Sequence, residues 1–271
     1  MSSSESEINV QNIQNINIQK KKKKKKYIDT IDIYIISLKR SSDRKIIFDN
    51  YNSQYIKKYN YFEAVDGSSL DLSKLPNNHF DKKSSGYTKG ALGCAFSHLQ
   101  LWEKCIENNK PMLIMEDDAI VNMEFSTHLQ NVVKMLPSDW DILQLSYNYD
   151  SVLSFNNTVY EQCHGIFNKH KMTKIDINNF INSKIYPTIA KLNHSFGTSA
   201  YLISPKGAKI FKEKCFPLNN TIITIPFLNS IKCFTIDCMM NSIYKNTSSY
   251  VCIIPFIITP HICDDYKSTI S

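Results

Sequence analysis

The segment PMLIMEDDAI, residues 111 to 120, sets three consecutive carboxylates, Glu116, Asp117 and Asp118, directly behind an apolar run that reads as a buried strand. Adjacent carboxylates repel one another and lose hydration on burial, so such a cluster calls for full exposure or for a cation. Side chains alternate along an extended segment, which would aim Glu116 and Asp118 to one side and Asp117 to the other. Carboxylates at i and i+2 can share one hard cation, Mn²⁺ or Mg²⁺, together with the phosphates of a bound nucleotide. Exposed turn acids are the plain alternative, and the position directly after a buried strand counts against it.

The chain has only two arginines, Arg40 and Arg44, and both fall on one strand-to-helix turn. Guanidinium groups beside free helix amides at the carboxyl end of a parallel strand are well placed to hold a diphosphate. Two solvated surface arginines are the competing reading.

The elements that must position these groups follow from periodicity. IDIYIIS, residues 31 to 37, is β-branched and strand-like, and Ser41, Ser42 and Asp43 offer an N-cap to a helix with Ile46, Ile47 and Tyr51 on one face. YFEAVDG, 61 to 67, reads as a second strand ending in the Asp66-Gly67 turn, and residues 68 to 87 read as loop. Leu92, Phe96, Leu99, Trp102 and Ile106 recur at helical spacing, with Thr88 as cap and Asn108 and Asn109 as stop. Strands are predicted over 113–115 and 141–147 with a helical pattern between them, residues 148 to 193 show no clear period, and FGTSAYLIS returns as a strand. PKGAKIFKEKC then reads as a helix with Pro205 at its start, TIDCMMNSIYKN as a further helix, and YVCIIPFIITP as strand-like at its beginning. This alternation is the order of an α/β domain with a mostly parallel central sheet, whose ligands lie beyond the carboxyl ends of its strands.

Composition narrows the function classes. The 271 residues carry a formal charge of +7, but the seven lysines from Lys20 to Lys26 against Glu5 and Glu7 supply +5, leaving +2 for residues 27 to 271. A nearly neutral domain lacks the basic face that nucleic-acid binding requires. Residues 1 to 26 read as a disordered low-complexity tail, whose lysine run could contact anionic surfaces or could simply be solvated. No apolar stretch reads as a secretory signal or a bilayer span, so a cytoplasmic protein is expected, and eight cysteines without a CxxC pair read as reduced thiols. Four Asn-x-Ser/Thr matches, at Asn156, Asn193, Asn219 and Asn246, follow from an asparagine-rich composition.

In order along residues 31 to 260, IYIISLKRSSDR, YFEAVDG, TKGALGCAFSHLQLW, MLIMEDDAIV, WDILQLS and GTSAYLISPKGA make the chain resemble glycosyltransferase family 25. That family includes lipooligosaccharide galactosyltransferases and collagen hydroxylysine galactosyltransferases. The resemblance implies a GT-A type fold, a single Rossmann-like catalytic domain over residues 27–271, and a DxD-like motif holding Mn²⁺ (or Mg²⁺) on the diphosphate of a UDP-sugar donor. It makes Glu116 and Asp118 the metal ligands, with Asp117 beside the donor, and lines the nucleotide with Arg40, Arg44, Asp66 and Gly67. Asp237 becomes the candidate general base, with a helix N-terminal acid as the alternative. A late histidine, His261, is the candidate to complete the metal shell. His98, of the family's Ser-His pair on the long helix, reads as a packed histidine rather than a catalytic one.

The expected reaction is transfer of galactose or glucose to a hydroxyl of a glycan or protein acceptor, with inversion. Ala91 stands where family members commonly carry Glu, which keeps open a catalytically silent member acting as a binding module. A metal-dependent phosphotransferase or nuclease is disfavoured by the neutral domain and the lack of a P-loop.

Overall fold

The computed structural model describes residues 31–148, 151–157, 162–167, 172–226 and 228–260. The lysine-rich tail and His261 lie outside them. Strands β1 (Asp32–Ser37), β2 (Asn60–Glu63) and β3 (Met112–Glu116) pair in parallel, with β1 in the middle. The sheet has nine strands in all, continuing through β9 (Ala200–Ile203), β5 (Ile142–Gln144), β12 (Ser249–Cys252), β8 (Ile189–His194), β6 (Val152–Asn156) and β7 (Gln162–Ile166). From β2 to β12 every strand points the same way except β9, which runs antiparallel between β3 and β5. This is the expected mostly parallel core with one reversed strand. Beyond β12 the sheet becomes antiparallel, through β8, β6 and β7, and β10 (Ile222–Ile223) pairs with β11 (Ile231–Lys232) in a separate antiparallel ribbon.

That antiparallel extension is made by the segment in which the sequence shows no period. β6 is buried at its start, whereas β7 is an edge strand with no fully buried residue, so neither displays a clean two-residue alternation. The same segment holds helix α4 (Lys174–Asn182), closed by a capping box between Thr173 and Asp176.

Helix α1 (Ser42–Asn52) follows β1. Its buried face is set by Phe48 and Asn52, not by the expected Ile46, which is 58% exposed. Asn52 is a structural tie: its Nδ2 donates to the Ala119 carbonyl at 2.9 Å, and its Oδ1 accepts from the Val121 N–H at 2.9 Å. It thereby anchors α1 to the chain just beyond the acidic triplet. β4 (Ile120–Val121) continues there and pairs with β13 (Ile257–Ile258), bringing the chain's last described residues to the same place.

Helix α2 (Lys89–Asn108) begins at Thr88, whose hydroxyl accepts from the Ala91 N–H at 3.0 Å, and stops at Asn109 in the left-handed conformation. Its buried Leu92, Phe96, Leu99 and Trp102 enter the main core, against helix α5 (Pro205–Cys215). Helix α3 (Phe125–Met135) covers the chain between β4 and β5, and the short helix α6 (Ile236–Asn241) carries Asp237 in its first turn. Among the described residues no helix is long and apolar enough to cross a membrane.

Candidate active site

Strand β3 ends at Glu116, and Asp117 and Asp118 lie in the turn after it. The alternation expected of an extended chain therefore stops at Glu116. The Glu116 carboxylate faces Thr198, which donates to Oε1 at 2.6 Å, and His98, whose Nε2 lies 3.5 Å from the same oxygen. Asp117 and Asp118 both turn toward Arg44. Nε and Nη2 of Arg44 lie 2.7 and 2.5 Å from Asp117 Oδ1, and Nη2 lies 3.3 Å from Asp118 Oδ2. Ser37, the last residue of β1, donates to the other Asp117 oxygen at 2.6 Å.

Burial works against the charge of Arg44, but Asp118 and Asp117 outweigh it and hold the guanidinium above its usual pKa. Arg44 and Arg40 thus part company. Arg44 sits in the first turn of α1 and swings inward, whereas Arg40 precedes the helix and stays exposed, paired with Asp66. Asp66 is held below the usual carboxylate range chiefly by hydrogen bonds from Ser68, with Arg40 adding to them. The formal charges of the triplet exceed that of Arg44 by two, and the triplet is divided: Asp117 and Asp118 face Arg44, while Glu116 faces Thr198 and His98.

A cavity of about 280 Å³ opens beyond the ends of β1 and β3, lined by Arg40, Asp66, Gly67, Lys89, Ser97 and Glu116, among others. Its floor depends on glycine. A Cβ on Gly93 would stand 2.6 Å from Gly67 N and from the Val65 carbonyl, so helix α2 rests directly on the 65–67 turn. Ser97 completes the joint, accepting from the Val65 N–H at 2.9 Å and donating to the Gly93 carbonyl at 2.8 Å.

A second cavity of about 150 Å³ lies alongside and is lined by Ala91, Asn148, Thr198, Thr235 and Asp237. Cys94 and Glu116 line both cavities. Asp237 accepts hydrogen bonds from the Gly197 N–H at 3.0 Å, the Cys238 N–H at 2.9 Å and the Thr235 hydroxyl. Gly197 is at φ +99°, a conformation open to glycine, and it presents that N–H to the carboxylate.

His98 is fully buried. Its Nδ1 lies 2.8 Å from the Tyr201 hydroxyl, and that hydroxyl accepts from Trp102 Nε1 at 2.8 Å. The structure thus gathers Arg40, Asp66, Gly67 and Glu116 around one cavity, places Asp237 on the next, and sets Asp117 and Asp118 behind them with Arg44. Residues that sequence reasoning did not single out are Ser37, Lys89, Cys94, Asn148 and Thr198. The Thr198 position lies within the GTSAYLIS motif, but nothing in its type alone distinguishes it from a strand residue.

Comparison with known proteins bears on this site. A protein of Acanthamoeba polyphaga mimivirus with a provisional glycosyltransferase name, R655, is 32% identical over 130 residues, covering 46% of this chain and 40% of that one. Procollagen galactosyltransferase 1 of Danio rerio is 29% identical over 128 residues, 42% of this chain and 21% of its own. The procollagen lysyl hydroxylase and glycosyltransferase of the same mimivirus is 26% identical over 216 residues, 72% of this chain and 21% of its own. The chain therefore spans two fifths or less of these relatives' lengths. The profile of glycosyltransferase family 25 (LPS biosynthesis protein) matches residues 30–240, which include both cavities' acidic residues. The chain belongs to glycosyltransferase family 25.

Proposed function

We propose that this chain transfers a hexose from a UDP-sugar to an acceptor hydroxyl, through a GT-A type arrangement and with inversion at the sugar. The observation that carries the reading is the pair of adjoining cavities, 280 and 150 Å³, with Glu116 on their common wall. The larger suits a nucleoside diphosphate, with Arg40 and Lys89 as its cations, and the smaller suits a hexose ring with Asp237 beside it. Glu116 and Asp118 would hold Mn²⁺ or Mg²⁺. When bound, that ion supplies positive charge against the diphosphate as it leaves.

The chain's own residues do the rest. Asn148, Thr198 and Thr235 offer hydroxyl and amide groups to orient the sugar, and Asp237, fixed by three donors, takes the acceptor proton as attack proceeds. The names of the relatives favour galactose as the donor sugar and a protein hydroxyl as acceptor; glucose and a glycan hydroxyl are the alternatives. The silent-module reading draws on Ala91, which presents a methyl group to the smaller cavity.

The test is UDP release from a panel of UDP-sugars, with Mn²⁺ and with EDTA, for the wild type and Asp118→Ala. Water serves as a slow acceptor. Mn²⁺-dependent release from one donor, lost in the variant, supports the transferase reading; no release and no binding from any donor favours the binding module.

A further inference from the structure

Glu116, turned away from the two aspartates that face Arg44, meets ligand atoms of another kind. One ligand atom each from Cys94, His98 and Glu116 lies within 4.8 Å of the others. Cys94 and His98 stand at i and i+4 on α2 and so share a face, the spacing by which helices present paired metal ligands. Glu116 reaches them from the end of β3, with its Oε1 3.5 Å from His98 Nε2.

Two features mark the group as more than a chance contact. His98 is wholly buried, and its Nε2 has no hydrogen-bond partner, although it is aimed at Glu116. Its Nδ1 is engaged by Tyr201, and the Glu116 carboxylate is oriented by Thr198 at 2.6 Å. Ligating imidazoles and carboxylates are held from behind in this way. In a metal-bound state Nδ1–H donates to the Tyr201 oxygen, whose two lone pairs can accept from both the imidazole and the Trp102 indole. Cys94 and Glu116 line both cavities, so the remaining coordination position opens toward them, as it does in sites that bind a water or substrate atom.

We propose that Cys94, His98 and Glu116 form a binding site for a thiophilic divalent cation of the zinc type. Sulfur and imidazole select Zn²⁺ over Mn²⁺ or Mg²⁺, which prefer oxygen. Without an ion, burial pushes the Cys94 thiol well above its usual pKa, and the negative charges of Glu116, Asp237 and Asp118 add to this. On binding, the S–H bond breaks heterolytically, the proton leaves to solvent, and the sulfur lone pair bonds the cation with no change of oxidation state. One further consequence rests on the transferase reading, whereas the site itself does not. Glu116 belongs to both donor sets, so Zn²⁺ is expected to inhibit turnover supported by Mn²⁺.

The test titrates Co²⁺ into the full chain with no sugar nucleotide present, so its outcome is independent of any donor turnover. A sulfur-to-cobalt charge-transfer band should saturate at one equivalent and be displaced by Zn²⁺. It should vanish in Cys94→Ser and His98→Gln and persist in Asp118→Asn. Thermal melts establish which variants are folded, and Cys94→Ser, a single-atom change, decides the matter if His98→Gln does not fold. Absence of the band in the folded wild type, or its survival in folded Cys94→Ser, would overturn the proposal.

Discussion

Arg44→Met is the most informative perturbation of the acidic turn. The Arg44 side chain is 15% exposed, and those of Asp117 and Asp118 are 7% and 11% exposed. Methionine keeps most of the length and the apolar packing but removes the charge. Asp117 Oδ1 then loses both guanidinium contacts, at 2.7 and 2.5 Å, and keeps only the Ser37 bond on its other oxygen. Removing one partner of a buried pair costs about 3–5 kcal/mol, because the remaining charge stays desolvated. At about 2–4 °C per kcal/mol for a chain of this size, Tm should fall by roughly 6–20 °C. The assay is a double-mutant cycle by calorimetry. Asp117→Asn added to Arg44→Met should recover part of the loss, because one of the two buried carboxylate charges is gone while an oxygen remains for Ser37. If Arg44 were instead a nucleotide-binding residue, the single variant would raise the donor KM and leave Tm in place. A drop of less than about 2 °C together with additive effects in the cycle would refute the argument.

Arg40→Ala should do the opposite: its exposed pair with Asp66 contributes little to stability, so Tm holds, while steady-state kinetics should show the donor KM rising roughly ten-fold or more for a lost charge-assisted phosphate contact. Asp237→Asn should lower kcat by about 10²–10⁴ with donor KM little changed, and equal loss of donor binding would remove Asp237 from the role of base. Burial lowers the pKa of His128 and His194 in the fold. Above about pH 6.5 both are neutral whether the chain is folded or not, and below it the unfolded chain takes up protons first, so stability falls with pH. Melts between about pH 7.5 and 5.5 should show this decline, and His128→Asn with His194→Asn should flatten it.

Much of the fold is legible because apolar spacing and caps agree over α2: Thr88 and Asn109 bound the helix where residue type places them, and the apolar stripe is buried as the period requires. Around α1 the same rules lose their grip. Ser41 has the right type for a cap but makes no side-chain capping hydrogen bond, and Phe48 with Asn52 turns Ile46 outward. The choice is tertiary, since Asn52 is held by Ala119 and Val121, residues far away in sequence. Arg40 and Arg44 look equivalent on paper for the same reason. One lies before the helix and the other inside its first turn, and that difference alone sends them to different partners.

The site's least legible residue, Thr198, exposes the assumption behind the rest. Ligands of a parallel sheet are sought at the carboxyl ends of its strands, and β1 and β3 deliver Ser37 and Glu116 there as expected. β9 runs the other way, pairing Met115 with Ala200, so the residues before β9 arrive at that same edge. The Glu116 N–H donates to the Ser199 carbonyl at 2.9 Å, which fixes Thr198 opposite the Glu116 carboxylate. One residue earlier, Gly197 gives its N–H to Asp237. A single reversed strand therefore couples the acid on the shared wall to the acid of the smaller cavity through three consecutive residues, 197 to 199. No spacing between Glu116 and Asp237 in the sequence could disclose that, because the link is made by strand direction rather than by either acid's own element.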